Sequence, residues 1–374
     1  MLKVLHFFKT SLPDTVGGIE QFIDQLCRSS MPYGIESSVL ALTRTNLHST
    51  SVEFNGYTLH RAKRNFQLAS TDFSISAFQQ FSKLAKEADI IHYHFPWPFM
   101  DLVHFAARIK KPTLITYHSD IIKQKNLLKI YQPLMNAFLA NVDEIVATSP
   151  NYLISSDVLQ KYKNKISIIP IGLDKSSYVL SSFKRKDYWK NKIGTRFYLF
   201  IGVLRYYKGL HVLLEANMQS DIPVIIAGDG PMKESLQADA IRLGLRNTYF
   251  LGAISEEDKA ALLTLCYGVV FPSNLRSEAF GISLLEAAMY GKPMISCEIG
   301  TGTSFINLNN LTGLVVAPNN PEALKEAMLD LWNNPDKAAH MGVNAELRFQ
   351  THFKSEVMIK KYSNIYYRMS RMKP

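Results

Sequence analysis

The chain has 374 residues, of which 47% are hydrophobic and 20% charged, and its formal net charge is +10 at pH 7. This composition is that of an ordinary globular protein, and the length favours two domains over a single core. Three widely spaced cysteines argue against a disulfide framework and against a zinc site. We expect neither a signal peptide nor a membrane span, and therefore a cytoplasmic protein.

Short apolar strands alternate with amphipathic helices through the first half of the chain. Strands are predicted near residues 2–8, 37–42, 89–93, 113–116, 144–147 and 166–169. Helices are predicted near residues 19–31, 73–87, 99–109, 127–140 and 150–159. This alternation predicts parallel βαβ units with helices on both faces of the sheet.

The pattern restarts after a polar, basic connector at 173–192. Strands are predicted near residues 197–202, 223–227, 248–251, 268–271, 293–297 and 312–316. Helices are predicted near residues 209–218, 232–243, 256–265, 281–291, 321–332 and 335–348. The fold class is therefore α/β, with two doubly wound Rossmann-like domains that face a central cleft. In such folds ligands bind outside the carboxyl ends of the strands.

The predicted domains cover residues 1–175 and 193–354, and a last helix covers 355–374. This last helix mixes apolar with basic residues. It can pack back on the first domain or lie on a membrane, and packing is the favoured interpretation.

Two carboxylates, Glu278 and Glu286, stand eight residues apart around the start of a predicted helix that Phe280 and Gly281 open. A helix that begins in this way presents free amides and the positive end of its dipole to an anion. The glutamates can accept hydrogen bonds from hydroxyl groups. A phosphate together with a polyol is the outline of a sugar nucleotide. The alternative is an ordinary helix N-terminus with acidic residues beside it.

Each predicted domain has a further candidate segment directly after its first strand. Gly17 and Gly18 allow a backbone to approach a phosphate, although no G-x-G-x-x-G pattern is present, which disfavours a nicotinamide dinucleotide. Arg205 and Lys208 precede a helix and can clamp a diphosphate without a metal ion. The alternatives are a simple turn for the glycines and solvated surface charges for the cations.

Gly228 and His118 also lie at strand ends. Gly228 suits a nucleotide ring or ribose close to the backbone, and a tight turn is the alternative. His118 can bind substrate or stabilise charge as a glycosyl bond breaks, and a structural histidine is the alternative. His92 and His94 also have the placement to reach the predicted cleft. Their H-x-H pattern suggests a metal, but no third ligand is visible nearby in the sequence.

These motifs in this order resemble the family-four retaining glycosyltransferases of the GT-B fold. The resemblance spans essentially the whole chain and is strongest over residues 197–318. It is carried by Gly17-Gly18-Ile19-Glu20, Tyr117-His118-Ser119-Asp120, residues 169–174, Lys208-Gly209, Gly228-Asp229-Gly230-Pro231, and Glu278-Ala279-Phe280-Gly281-Ile282 with Glu286.

The resemblance implies a nucleotide-sugar donor held mainly by the second domain. It assigns Glu278 to the hydroxyls of the donor sugar, Glu286 to the nucleotide ribose and Lys208 to the diphosphate. The rest of the implied donor-binding set is Gly17, Gly18, Arg205, Gly228, Ala279, Phe280, Gly281 and Ile282. Neither a metal ion nor a cofactor is implied.

The resemblance also assigns His118 and Glu278 to catalysis, with His118 next to the reacting carbon of the donor sugar. The anomeric configuration is expected to be retained, with a leaving phosphate oxygen taking the proton of the acceptor. The sequence departs from the family at Val203, where family members often carry an arginine. Arg205, two residues further on, is the candidate replacement.

Within the family, the chain resembles bacterial enzymes that build O-antigen and other polysaccharides, many of which are mannosyltransferases. GDP-mannose is therefore the expected donor, and a saccharide on a polyprenyl diphosphate is the expected acceptor. The enzyme is expected to be peripheral on the cytoplasmic face of the inner membrane. Basic segments at 108–111, 121–129 and 184–192 suit that anionic surface, and a solvated basic face is the alternative.

Three alternatives remain at this point. The donor can be a UDP-sugar, or the enzyme can be a GT-B sugar-nucleotide epimerase that needs no acceptor. The third is a basic protein that binds nucleic acid, which is disfavoured because no recognised nucleic-acid-binding module is present.

Overall fold

The computed structural model describes residues 1–43, 50–68, 71–121 and 125–371. Residues 122–124 of the predicted basic segment and the last three residues of the predicted final helix lie outside this part of the chain. The chain forms two compact units. The N-terminal unit comprises Met1–Ile171 with Ser355–Pro374, and the C-terminal unit comprises Gly172–Lys354.

The described residues of the N-terminal unit form ten strands and six α-helices before the chain leaves it. The strands are β1 Leu2–Phe7, β2 Ile35–Thr43, β3 Thr50–Phe54, β4 Tyr57–Lys63, β5 Phe66–Leu68, β6 Thr71–Phe73, β7 Ile90–Phe95, β8 Thr113–Tyr117, β9 Glu144–Ala147 and β10 Ile166–Ile168. The helices are α1 Gly18–Ser30, α2 Ile75–Glu87, α3 Pro98–Ala106, α4 Lys125–Asn141, α5 Pro150–Ser155 and α6 Asp157–Gln160.

Eight of these strands form one sheet in the order β10-β9-β8-β7-β1-β2-β4-β3. All neighbouring pairs are parallel except β3 with β4. Every residue of β7 and of β8 is buried, as expected for parallel strands covered on both faces. The register pairs His6 of β1 with His92 of β7, so the polar side chains of these strands lie at the same level.

The hairpin β3–β4 is absent from the sequence prediction. Its strands turn at Asn55 and Gly56, which have φ values of 49° and 84°. Asn-Gly is the preferred dipeptide for a tight hairpin turn, because both positions need positive φ. The signal was therefore present in the sequence.

The C-terminal unit contains six strands and eight helices. The strands are β11 Tyr198–Ile201, β12 Val224–Ala227, β13 Thr248–Gly252, β14 Gly268–Phe271, β15 Met294–Cys297 and β16 Gly313–Val316. The helices are α7 Phe183–Ile193, α8 Leu210–Ala216, α9 Lys233–Arg242, α10 Glu256–Leu265, α11 Ile282–Met289, α12 Thr303–Ile306, α13 Pro321–Asn333 and α14 Pro335–His352. A last helix, α15 Ser355–Arg371, returns to the N-terminal unit and contacts α1 and β7.

The second sheet is parallel throughout, in the order β13-β12-β11-β14-β15-β16. The strand order reverses between β11 and β14, which makes this pair the topological switch point. Ligands of doubly wound sheets bind at the carboxyl ends of the strands at such a point. Both sheets confirm the predicted α/β class with two Rossmann-like domains.

The second half of the basic connector predicted at 173–192 belongs to helix α7. Ser182 caps α7 by accepting from the amide of Arg185, and α7 packs against α10. The buried carboxylate of Asp258 accepts hydrogen bonds from Arg185, from Ser255 and from the indole of Trp189. The sequence did not predict this helix, because α7 is mostly polar and its structure depends on this tertiary anchor.

Within the described part of the chain, no helix combines the length and the apolar character needed to cross a membrane. The three cysteines are buried and unpaired, as the sequence predicts.

Asp258→Asn should destabilise the C-terminal unit by about 2 kcal/mol, because the buried carboxylate loses its charged hydrogen bond with the partly exposed guanidinium of Arg185. Arg185 holds the pKa of the Asp258 carboxyl well below its usual range. A lowered folded pKa stabilises the protein above about pH 4, and this contribution disappears as the pH falls further. Denaturant unfolding from pH 3 to pH 7 should therefore show the difference between wild type and variant shrinking below pH 4.

The matched control is Asp239→Asn, which breaks an exposed pair with Arg242. Its cost should stay below about 1 kcal/mol at every pH. Equal costs for the two variants would contradict the anchoring role of Asp258.

Candidate active site

The segments after β11 and β14 meet at the switch point of the second sheet. Gly209 has a φ of 65°, and a Cβ there would lie 2.0 Å from the carbonyl oxygen of Pro272. Only glycine allows this approach, because other residues would be strained and would clash with the backbone. The amide of Asn274 also donates to the carbonyl of Tyr207 at 3.0 Å. The two strand ends are thus held together.

This contact brings Lys208 and Glu278 into an ion pair. Lys208 Nζ lies 2.5 Å from Glu278 Oε2, and each side chain is only 12% exposed. Ser273 Oγ also donates to Glu278 Oε2, at 3.3 Å. Glu278 Oε1 makes no hydrogen bond to any residue that the structure describes. The pair therefore fixes the carboxylate and leaves one oxygen for a ligand.

The predicted helix start lies directly after Glu278. Gly281 is the N-terminal cap of α11, and the amides of Leu284 and Leu285 donate to its carbonyl. Over the described residues, the amides of 279–283 have no acceptor. Ala279 accepts from the amide of Gly302, which holds this segment in place. Unsatisfied amides at a helix N-terminus form a site for an anion such as phosphate.

Glu286 is buried on α11 and is held from two sides. Tyr178 donates its hydroxyl to Glu286 Oε1 at 3.1 Å, and Lys259 Nζ lies 3.0 Å from the same oxygen. Burial alone would lower the pKa of Lys259, but Glu286 and Glu256 raise it above its usual value. Glu286 Oε2 has no protein partner among the described residues. Glu286 thus repeats the arrangement of Glu278.

Gly228, predicted to contact the donor, packs against the end of β11. Its φ is 142°, and a Cβ there would lie 2.0 Å from the carbonyl oxygen of Gly202. The next residue, Asp229, pairs with Lys233 on α9. This packing supports the alternative of a tight turn, and donor contact at Gly228 stays a prediction.

Arg205 is exposed, and so is Val203, which takes the place of the arginine common in the family. The carbonyl of Arg205 accepts from the amide of Lys208. Its guanidinium forms no ion pair with a described residue, so it is available to a ligand. Its role at the diphosphate stays a prediction.

In the N-terminal unit, Gly17 caps α1 and Gly18 begins it. The carbonyl of Gly17 accepts from the amide of Gln21, and Thr15 donates to Glu20 nearby. The predicted position of both glycines at a helix N-terminus is confirmed. Their contact with a phosphate stays a prediction.

His118 follows β8 and is only 7% exposed. Its Nε2 lies 3.1 Å from Nδ1 of His94, and burial lowers its pKa to about 3. His118 is therefore neutral near pH 7, and its contact with the donor sugar stays a prediction. Its Nδ1 makes no hydrogen bond within the described ranges.

His92 and His94 do not reach the surface of the N-terminal unit, as the sequence allowed, because both are fully buried. A third potential metal ligand, not visible near His92 and His94 in the sequence, is His6. Nitrogens of His6, His92 and His94 lie within 4.8 Å of one another. Sequence spacing could not reveal His6, because β1 and β7 are distant in the chain and adjacent in the sheet.

Sequence reasoning also missed Ser273, Tyr178 and Lys259. Ser273 lies five residues before Glu278, and its proximity was the available signal. Tyr178 lies in the predicted connector and Lys259 on α10, and nothing in their local patterns points to Glu286. Only the tertiary structure brings Tyr178 and Lys259 to Glu286.

The fold and this site define a glycosyltransferase of the GT-B type. Two family profiles match the chain: "Glycosyltransferase Family 4" over residues 16–177 and "Glycosyl transferases group 1" over residues 183–348. The chain belongs to the family-four glycosyltransferases, which confirms the resemblance seen in the sequence.

Two of the relatives illustrate the match over nearly the whole chain. It is 57% identical over 352 residues to the D-rhamnosyltransferase WbpZ of Pseudomonas aeruginosa, covering 94% of this chain and 92% of the relative. It is 47% identical over 365 residues to the O-antigen chain mannosyltransferase C of Escherichia coli, covering 98% of each. Among solved structures, sucrose-phosphate synthase from Thermosynechococcus elongatus superposes with a TM-score of 0.83 at 19% identity, over 100% of both chains.

A double-mutant cycle on Lys208 and Glu278 should give a coupling of about 2 kcal/mol in the free energy of unfolding. Lys208→Met leaves a nearly buried carboxylate without its cation, and Glu278→Gln removes that penalty. Denaturant unfolding of the two single variants and the double variant measures the coupling.

The control cycle uses Lys337→Met and Asp330→Asn, whose ion pair is about 40% exposed on both sides. It should give less than about 1 kcal/mol. A coupling at Lys208–Glu278 no larger than this control value would contradict the pair as a structural element of the site.

Proposed function

We propose that the chain transfers a mannosyl residue from GDP-mannose to a growing saccharide in bacterial O-antigen synthesis. The support is its 47% identity, over nearly the full length, to an O-antigen chain mannosyltransferase. D-Rhamnose is the second candidate sugar, because the 57% identical relative is a D-rhamnosyltransferase. D-Rhamnose is 6-deoxy-D-mannose, so the two candidates differ only in the hydroxyl at C6.

The proposal of a nucleotide-sugar donor rests on two carboxylates that flank a run of unsatisfied backbone amides. Glu278 and Glu286 each bind protein groups through one oxygen, and the other oxygen of each has no partner among the residues that the structure describes. In the proposal, Glu278 accepts from the sugar hydroxyls and Glu286 from the ribose. The diphosphate lies at the amides of residues 279–283 with Lys208, where positive charge is already fixed.

The proposed reaction retains the anomeric configuration and needs neither a metal ion nor a cofactor. The leaving diphosphate gains negative charge as the glycosyl bond breaks. Lys208, the free amides and the available guanidinium of Arg205 are the groups proposed to offset that charge. An oxygen of the leaving phosphate takes the proton of the attacking hydroxyl, so no separate general base is required.

The N-terminal unit is proposed to supply His118 to the donor sugar and the amides after Gly17 and Gly18 to the phosphate. His118 is neutral, so its part is a directed hydrogen bond through Nδ1 rather than a charge. Over the described ranges the amides of residues 18–20 have no acceptor, so the first turn of α1 suits an anion for the same reason as that of α11.

The acceptor is proposed to be a saccharide on a polyprenyl diphosphate at the cytoplasmic face of the inner membrane. Exposed Lys184, Lys190 and Lys192 on α7, with Leu180 and Phe183 exposed beside them, suit an anionic lipid surface. Arg185 is excluded from this role, because it pairs with Asp258. Nucleic acid is not a proposed partner.

Nucleotide binding tests the donor assignment. GDP should raise the melting temperature more than UDP or ADP at equal concentration, because a bound ligand stabilises the folded state. Glu286→Ala should weaken GDP binding about tenfold or more, through loss of charged hydrogen bonds to the ribose. The control is Glu326→Ala, an exposed acid on α13. A stronger shift with UDP would replace the GDP assignment with the UDP-sugar alternative.

Product analysis tests the reaction. With GDP-mannose and a polyprenyl-diphosphate saccharide, the product should be an α-mannoside, as retention requires, by NMR. Glu278→Ala should reduce kcat about 100-fold. Transfer from GDP-D-rhamnose, assayed in parallel, shows which of the two sugars the enzyme prefers. An inverted product would refute the retaining mechanism, and conversion of the sugar nucleotide without acceptor would identify an epimerase.

A further inference from the structure

Three buried imidazoles of the N-terminal unit form a continuous hydrogen-bonded row that begins at His118. His118 Nε2 lies 3.1 Å from His94 Nδ1, and His94 Nε2 lies 3.1 Å from His6 Nδ1. Neighbouring rings of the row are nearly parallel, with interplanar angles of 19° and 21° and 5.4 Å between centroids at each step. His6 and His94 are fully buried, and His6 Nε2 has no partner. We call His118, His94 and His6 the histidine row.

Burial keeps the row neutral. It lowers the pKa of His6 and His118 to about 3 and that of His94 well below its usual value. A neutral imidazole carries one N–H and one bare nitrogen. Each ring in the middle of such a row must therefore donate on one side and accept on the other.

Only two proton arrangements satisfy both hydrogen bonds. If His6 Nδ1 donates, His94 must donate through Nδ1 as well, and His118 then carries its proton on Nδ1. If the direction is reversed, all three rings carry the proton on Nε2. In both arrangements the three histidines share one tautomer, and the state of His118 is tied to that of His6.

We propose that His94 and His6 are positioning residues that fix the tautomer and the ring orientation of His118. The row decides whether His118 Nδ1 offers a proton or a lone pair to its ligand. A substrate group of the opposite hydrogen-bonding type is then selected and aligned. That this ligand is the donor sugar rests on the proposed function, but the coupling of tautomers does not.

His92 provides a matched control on the same strand. It is fully buried and stacks on His94 at 4.4 Å, but its nitrogens bond to the hydroxyls of Tyr366 and Thr116. A hydroxyl can donate or accept, so these bonds impose no tautomer on the row. His92→Phe therefore disturbs the packing as much as His94→Phe and leaves the row intact.

NMR of protein labelled with ¹⁵N at histidine tests the row directly. Nitrogen shifts should show His6, His94 and His118 as the same single tautomer in the wild type and in His92→Phe. In His94→Phe, the signals of His118 should report a mixture of tautomers. Different tautomers at the three rings, or an unchanged His118 in His94→Phe, would refute the proposal.

Transfer kinetics test the consequence. His94→Phe should lower kcat about 10- to 100-fold through misalignment, with the KM for the donor changed less than twofold. His94→Gln, whose amide can still donate and accept, should recover part of kcat. Equal losses in His92→Phe and His94→Phe would show a packing role only and overturn the positioning role.

Two further outcomes distinguish this proposal from the proposed function and from a metal site. If the wild type transfers no sugar from any donor, the proposed function fails, and the NMR result still decides the row. Stoichiometric Zn²⁺ or Co²⁺ binding to wild type, lost in His6→Phe, would overturn the row in favour of a metal site at His6, His92 and His94.

Discussion

The ion pair between Lys208 and Glu278 is the interaction on which the donor side of this protein depends. It joins the two strand ends at the switch point of the second sheet and is itself made possible by Gly209. A carboxylate that is almost buried needs a fixed cation, and a cation beside a phosphate site needs a fixed position. The ion pair provides both, because it neutralises the carboxylate of Glu278 and fixes the position of Lys208. The helix start at Gly281 follows directly, so its free amides and the pair act on the same ligand.

The second glutamate repeats this logic with different partners. Tyr178 and Lys259 hold one oxygen of Glu286 and leave the other open. In both glutamates, one carboxylate oxygen is held by protein groups, which fixes the side chain, and the other oxygen remains to accept a hydrogen bond from a ligand. Rigid acceptors suit a polyol ligand, because hydroxyl groups discriminate through direction as much as through strength. The histidine row likewise holds one nitrogen of His118 and leaves the other for a ligand, although His118 is neutral and the glutamates are charged.

Much of the fold was readable from the sequence, because its signals are local. Buried parallel strands appear as short apolar runs, and helices keep a periodic apolar face. Two of the missed elements had different causes. The Asn55-Gly56 hairpin carried a turn signal that was overlooked. The polar helix α7 carried little signal, because it is held by Asp258 of α10 rather than by its own apolar face.

The sequence alone determined the α/β class, the strand ends that carry Gly17, Lys208 and Glu278, and the helix start at Gly281. These features follow from local pattern and from the rule that parallel strands present their carboxyl ends together. Only the tertiary structure decided which groups meet there. The partners Tyr178 and Lys259 of Glu286, the neutral state of His118 and its link to His6 depend on packing between distant segments. Burial and hydrogen-bond partners set charge and orientation, and neither is a property of the sequence neighbourhood.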